Sequence, residues 1–156
     1  MIKILIIILT ISFSLTAEEK EIQNSRLFRF GEDEIVLHEY LKSLKETELL
    51  VMNFTSVTCI PCKKEIPELL TLERKYPNMK LFIIFAEPDP SKFASGLGVK
   101  SFFADPLGSL QNRFGIKSYP TTFVVKSNKS VLVRLDGYND KTIGKISSLL
   151  KDQEGK

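Results

Sequence analysis

Cys59 and Cys62 are the only cysteines in a chain of 156 residues, separated by Ile60 and Pro61 alone. Cysteines this close can serve as a structural brace, as part of a metal site, or as a pair that reacts. A disulfide restricts the unfolded chain more as the loop it closes grows longer, and a bridge across two residues closes nearly the smallest loop available. As a brace it accomplishes little. A structural zinc site wants four ligands; the only other good donor is the single His38, which no sequence rule places near Cys59. A zinc site shared between two chains stays open as an alternative.

The redox reading has a positive argument. Cys59 follows the strand-like segment Glu48 to Thr55, "ELLVMNFT", and precedes a helical pattern in which Ile66, Leu69, Leu70, Leu72 and Tyr76 recur at three- and four-residue spacing. Cys59 should therefore stand at a helix N-terminus. Unpaired backbone N–H groups and the positive end of the helix dipole there favour thiolate over thiol, taking the pKa below its usual value of about 8.5. Cys62 lies one turn further in, on the same side. Cys59 can then attack a partner's disulfide and Cys62 can resolve the mixed disulfide that forms.

The elements that must hold this pair follow from pattern. "RLFRF" (26–30) suggests a first strand and "LHEYLKSLKE" (37–46) a short helix. A strand from Leu49 to Phe54, the cysteine helix to Tyr76, and a strand from Met79 to Phe85 come next. A short helix near Ser91 to Ser95, a strand from Ser101 to Ala104, and a helix that Gly115 ends complete the middle. "TTFVVK" and "SVLVRLDG", joined by Ser127, Asn128 and Lys129, form an antiparallel hairpin. A last helix is expected from Asp140 to Leu150, capped by Asn139 or Asp140. This order implies an α/β domain: a central mixed β-sheet flanked by helices on both faces. The pair then sits at the carboxyl end of a central strand, where open α/β sheets place their sites.

At 43% hydrophobic the chain supports one domain with a real core and is too short for two. We expect a signal peptide or uncleaved anchor at 1–17, a polar lead at 18–27, the domain at 28–151 and a fraying tail at 152–156. The first seventeen residues carry Lys3, an apolar run from Ile4 to Leu15, and the small Ala17, the layout of a secretory signal. That run is shorter than the roughly 20 apolar residues a membrane crossing needs, which favours cleavage near Ala17. Removing these residues takes one Lys and no acid, so the net charge falls from +3 to +2. With acids and bases interleaved, no stripe can neutralise several phosphates, and nucleic acid is excluded as a partner. Outside the cytosol disulfides form and persist.

The stretch "NFTSVTCIPCKKEIPELL" resembles the active-site segment of the thioredoxin superfamily, and within it the TlpA/ResA type of extracytoplasmic thiol-disulfide oxidoreductase. Asn53, Phe54, Cys59, Pro61, Cys62, Lys63, Lys64, Glu65 and Pro67 match its pattern. A second match, "GIKSYPTTFVV" (115–125), resembles the segment that ends in the family's cis-proline and PTTF. The resemblance spans Phe28 to Leu150. It implies a thioredoxin-like fold with Pro120 cis and opposite the cysteines, exposing the Tyr119 backbone, beside Ile60 and Pro61, to a partner chain. It also implies a helix bent at Pro67. Glu65, on its own a solvated first-turn acid, becomes an acid beside the pair able to accept or relay a proton. Asn53 stands where thioredoxins proper carry a buried acid. Thr55 and Thr58 replace the family's aromatic residues, which puts partner recognition in doubt.

Ile60 and Pro61 offer no charge or side-chain donor to stabilise a thiolate further, so the pair should be reducing. The expectation is a periplasmic or otherwise extracytoplasmic reductase of protein disulfides, recharged by a membrane electron donor, with cytochrome c maturation as the implied pathway. It needs no cofactor or metal and acts as a monomer. The rivals are a non-catalytic binding or chaperone module on the same fold, and a disulfide-forming oxidase. His38 reads as a surface or helix-start residue, Glu87 to Pro90 as a turn, and the eleven phenylalanines as core.

Overall fold

The computed structural model describes residues 20–155, so the expected signal segment lies outside the described residues. Twelve elements follow in chain order: β1 (Arg26–Arg29), β2 (Glu34–Val36), α1 (Leu37–Ser43), β3 (Leu49–Thr55), α2 (Ile60–Lys75), β4 (Met79–Phe85), α3 (Ser91–Gly96), β5 (Phe103–Ala104), α4 (Ser109–Arg113), β6 (Thr121–Lys126), β7 (Val131–Asp136) and α5 (Thr142–Glu154). The strands form one mixed sheet in the order β2-β1-β5-β4-β3-β6-β7. β3 runs parallel to β4, and β4 to β5, while β6 lies antiparallel to β3.

Alternation along β3 assigns the two faces. Leu50, Met52 and Phe54 pack with Leu37 and Leu41 of α1 and with Leu110 of α4. Leu49 and Val51 face the other way, onto Leu69 and Leu72 of α2 and Ile146 and Leu150 of α5. A third cluster joins Cys62 and Ile66 of α2 to Phe85, Ala94 of α3 and Phe102. Helices therefore cover both faces. All seven residues of β3 are buried, as a strand enclosed on two sides demands.

Several expectations shift. β2 was not foreseen, because three residues pairing only with β1 leave no periodic pattern. The lead is partly tied in: Ile22 is buried, its N–H bonds Lys129 O at 2.9 Å, and Glu21 bridges Ser130. α5 begins at Thr142, with Lys141 at its N-cap and no side-chain cap. Asn139 instead bonds the Lys141 N–H in the turn before the helix, at 2.9 Å. The helix runs on to Glu154 with Gln153 buried, so residues 152–154 of the tail expected to fray belong to its last turn. Phe82, Phe85, Phe102, Phe103 and Phe123 are core, but Phe28 and Phe30 are exposed, Phe30 stacking on Phe102 with ring centroids 5.1 Å apart. His38 is the second residue of α1 and its ring bonds Ile22 O at 2.8 Å.

Candidate active site

The site forms where β3 ends. The chain leaves Thr55, turns through Ser56 to Thr58, and enters α2, for which Cys59 is the N-cap. Its extended backbone (φ −80°, ψ 110°) suits that position, and its sulfur accepts the Cys62 N–H at 3.2 Å. A serine or aspartate oxygen would ordinarily take one of these orphan helix donors. Here a sulfur does so, and an anionic sulfur makes the stronger acceptor. Cys59 and Cys62 are joined as a disulfide. Cys62 is fully buried and Cys59 half-buried, so Cys59 is the more accessible of the two sulfurs.

Ile60 is 71% exposed and Pro61 is exposed as well, an apolar rim in front of the pair. The Tyr119–Pro120 bond is cis. Because Phe54 pairs with Thr121, Pro120 lies just before β6, level with the end of β3 from which the cysteines emerge. Tyr119 packs against the cluster containing Cys62 and Cys59. The Gly137 N–H bonds Pro120 O at 2.7 Å and Gly137 has φ +81°, a left-handed conformation that favours glycine.

Glu65 departs from the solvated first-turn acid it was expected to be on its own: it lies in the second turn of α2 and is fully buried. Thr122 Oγ1 donates to its Oε1 at 3.0 Å and Asn53 Nδ2 to its Oε2 at 2.9 Å, while Asn53 Nδ2 also lies 2.9 Å from Thr122 Oγ1. Burial pushes the Glu65 carboxyl up to about 7, against the pull of the Thr122 and Asn53 hydrogen bonds. An acid poised near neutrality on the helix that carries Cys62 can hold or release a proton at working pH. Asn53 and Thr122 reach it because they face each other across β3 and β6.

The sequence reading missed Glu87. It accepts from Ser56 Oγ and, at 3.1 Å, from the Val57 N–H, within the loop that delivers Cys59. An acid at the end of the strand beside β3 was the available signal, obscured by the turn-forming prolines after it. Among the described residues, no group of three or more His, Cys, Asp or Glu side chains converges as metal ligands would.

No family model matches the sequence. The chain is 27% identical over 96 residues to the thiol-disulfide oxidoreductase ResA of Bacillus thuringiensis and of Bacillus cereus, a match covering 58% of this chain and 56% of each relative. It thus spans little more than half the length of those relatives. Among solved structures, a protein assigned as the thiol:disulfide interchange protein DsbE of Chlorobium tepidum superposes with a TM-score of 0.74 at 17% identity, over 86% of this chain and 96% of that one. A secreted Mycobacterium tuberculosis disulfide oxidoreductase gives 0.68 at 14% identity, over 82% and 95%. StoA of Bacillus subtilis gives 0.63 at 17% identity, over 81% and 96%. The chain is a thioredoxin-fold protein that resembles thiol-disulfide oxidoreductases of the ResA type.

Proposed function

We propose that the protein is an extracytoplasmic thiol-disulfide oxidoreductase that reduces disulfides in other proteins. The observation that carries this is the Cys59 sulfur at the N-cap of α2, accepting the Cys62 N–H. In the reduced protein the Cys59 thiolate attacks a substrate disulfide; one new S–S bond forms, the old one breaks, and the departing substrate sulfur takes a proton. Cys62 then gives its proton to the Glu65 carboxylate and attacks the Cys59 sulfur. The Cys59–substrate bond breaks, the second substrate sulfur leaves as a thiolate and is protonated from solvent, and Glu65 returns its proton to solvent. The substrate gains two electrons and the pair closes to the disulfide found in the structure. An external dithiol must reopen it, and a membrane electron donor suits an extracytoplasmic site. Ile60 and Pro61, with the half-buried Tyr119, form the surface offered to the partner, while the Pro120 ring is buried.

The reducing direction rests on the pair's own chemistry: neither Ile60 nor Pro61 brings a donor that would stabilise the dithiol form. Cytochrome c maturation follows as the proposed pathway from the resemblance to ResA. Equilibration with glutathione tests the direction. A potential well below the glutathione range supports the reductase; one near about −120 mV, typical of the superfamily's strong oxidants, rules it out.

A further inference from the structure

The loop between β3 and α2 is held by one carboxylate from the bend that follows β4. Glu87 Oε1 accepts from the Val57 N–H at 3.1 Å and from Ser56 Oγ. Ser56 Oγ in turn accepts the Thr58 N–H at 3.3 Å and lies 3.0 Å from Thr58 Oγ1, and Ser56 O takes the Cys59 N–H at 3.1 Å. Every backbone N–H from Val57 to Cys59 therefore ends on Ser56 or Glu87. Glu87 Oε2 is buried with no hydrogen-bond partner among the described residues. A carboxylate held in this way is costly unless its bonds secure something.

We propose that Glu87 is a positioning residue for Cys59: it clamps the Ser56–Thr58 loop and so keeps the Cys59 sulfur over the start of α2. The inference rests on the redox reading of the pair. Without the clamp, Val57 N–H and the Ser56 hydroxyl lose their acceptor, the loop loosens, and Cys59 leaves the Cys62 N–H that steadies its thiolate. Charged or ionisable groups on the neighbouring elements include Tyr119, before β6, Asp105, after β5, Lys63 and Glu65 on α2, and Asp89, which bonds Ser91 at the start of α3. The Tyr119 hydroxyl is buried without a partner among the described residues, and its pKa is raised by burial and then by Glu87 and Asp105. Asp105 is engaged by Ser109, Leu110 and Gln111 of α4. Lys63 lies 5.6 Å over the Phe93 ring, and Glu65 is held by Asn53 and Thr122. Of this set, Glu87 is the one hydrogen-bonded to the loop.

Charge and clamp act with opposite sign. A carboxylate near Cys59 disfavours a second anion, so removing its charge alone lowers the thiol pKa. Losing the clamp raises it. The test is the pH profile of iodoacetamide alkylation at Cys59 in the reduced full-length protein. Glu87→Ala is expected to raise the thiol pKa, slowing alkylation at neutral pH about tenfold for each unit, with the rate restored above the new pKa. Glu87→Gln keeps an acceptor and is expected at or below the wild-type value. A Glu87→Ala value at or below wild type, or a Glu87→Gln value raised equally, would overturn the inference. Should Glu87→Ala not fold, Ser56→Ala removes one grip of the clamp and must show a smaller rise; a wild-type value there overturns the inference too. Inert thiols in the wild type would remove the redox reading and this inference together, whereas reactive wild-type thiols with unchanged variants would remove the inference alone.

Discussion

Asn53 and Glu65 meet 2.9 Å apart in the interior, an amide donor on β3 against a carboxylate on α2. The acid is fully buried and its pKa is raised from 4.5 to about 7. A carboxyl that protonates more readily when folded stabilises the fold fully below its unfolded pKa, and that contribution is lost as pH climbs through the folded value. Stability should fall between pH 4.5 and 7, by about 3 kcal/mol at the rate of about 1.4 kcal/mol per unit. In Glu65→Gln this fall should vanish. Denaturant unfolding across that range checks it, and parallel wild-type and variant curves would contradict it.

The hydrogen bonds to Glu65 oppose the effect of its burial, so deleting one should push the pKa higher still. Thr122→Val removes the hydroxyl that lies 3.0 Å from Oε1 while keeping similar volume. Its Glu65 pKa, followed by carboxyl NMR titration, should exceed the wild-type value; a lower value would mean that Thr122 accepts rather than donates.

The proposed exchange chemistry gives the two cysteines unequal roles, with Cys59 half-buried at the helix end and Cys62 fully buried. Cys59→Ala should abolish reduction of insulin disulfides. Cys62→Ala should stall as a mixed disulfide, since nothing remains to displace the captured partner. In the native host, that variant should carry its substrates attached to Cys59, identifiable by mass spectrometry. Absence of insulin reduction by the wild type itself would favour a binding module on this fold.

Phe54 anchors the core directly beneath the site, 1% exposed, with its ring 5.5 Å from Phe114 and 6.0 Å from Phe123. Phe54→Ala should cost roughly 3–5 kcal/mol in chemical denaturation, the usual range for an aromatic truncated in a packed core.

The long elements were legible in the sequence and the short ones less so. β4 matches its expected bounds because seven residues of strand pattern end against Pro77 and Glu87 on either side. β2 and the beginning of α5 were misjudged because three paired residues and a helix without a side-chain cap carry little local signal. Within the site, the position of Cys59 could be read from the change of period around it. Glu65 could not be placed in the interior from its own sequence neighbourhood: its burial depends on Asn53 and on Thr122, 57 residues away. Glu87 acts on the Ser56 loop from 31 residues away, a relation that exists only once β4 lies beside β3.

The central claim is that the start of α2 holds the Cys59 sulfur as an anion. Alkylation of the reduced wild-type protein, followed by peptide mass analysis as a function of pH, tests it most directly. Selective labelling of Cys59 at neutral pH, with a thiol pKa below about 8.5, is the predicted result. Equal inertness of both sulfurs, or a Cys59 pKa at or above that of a free cysteine, would contradict it.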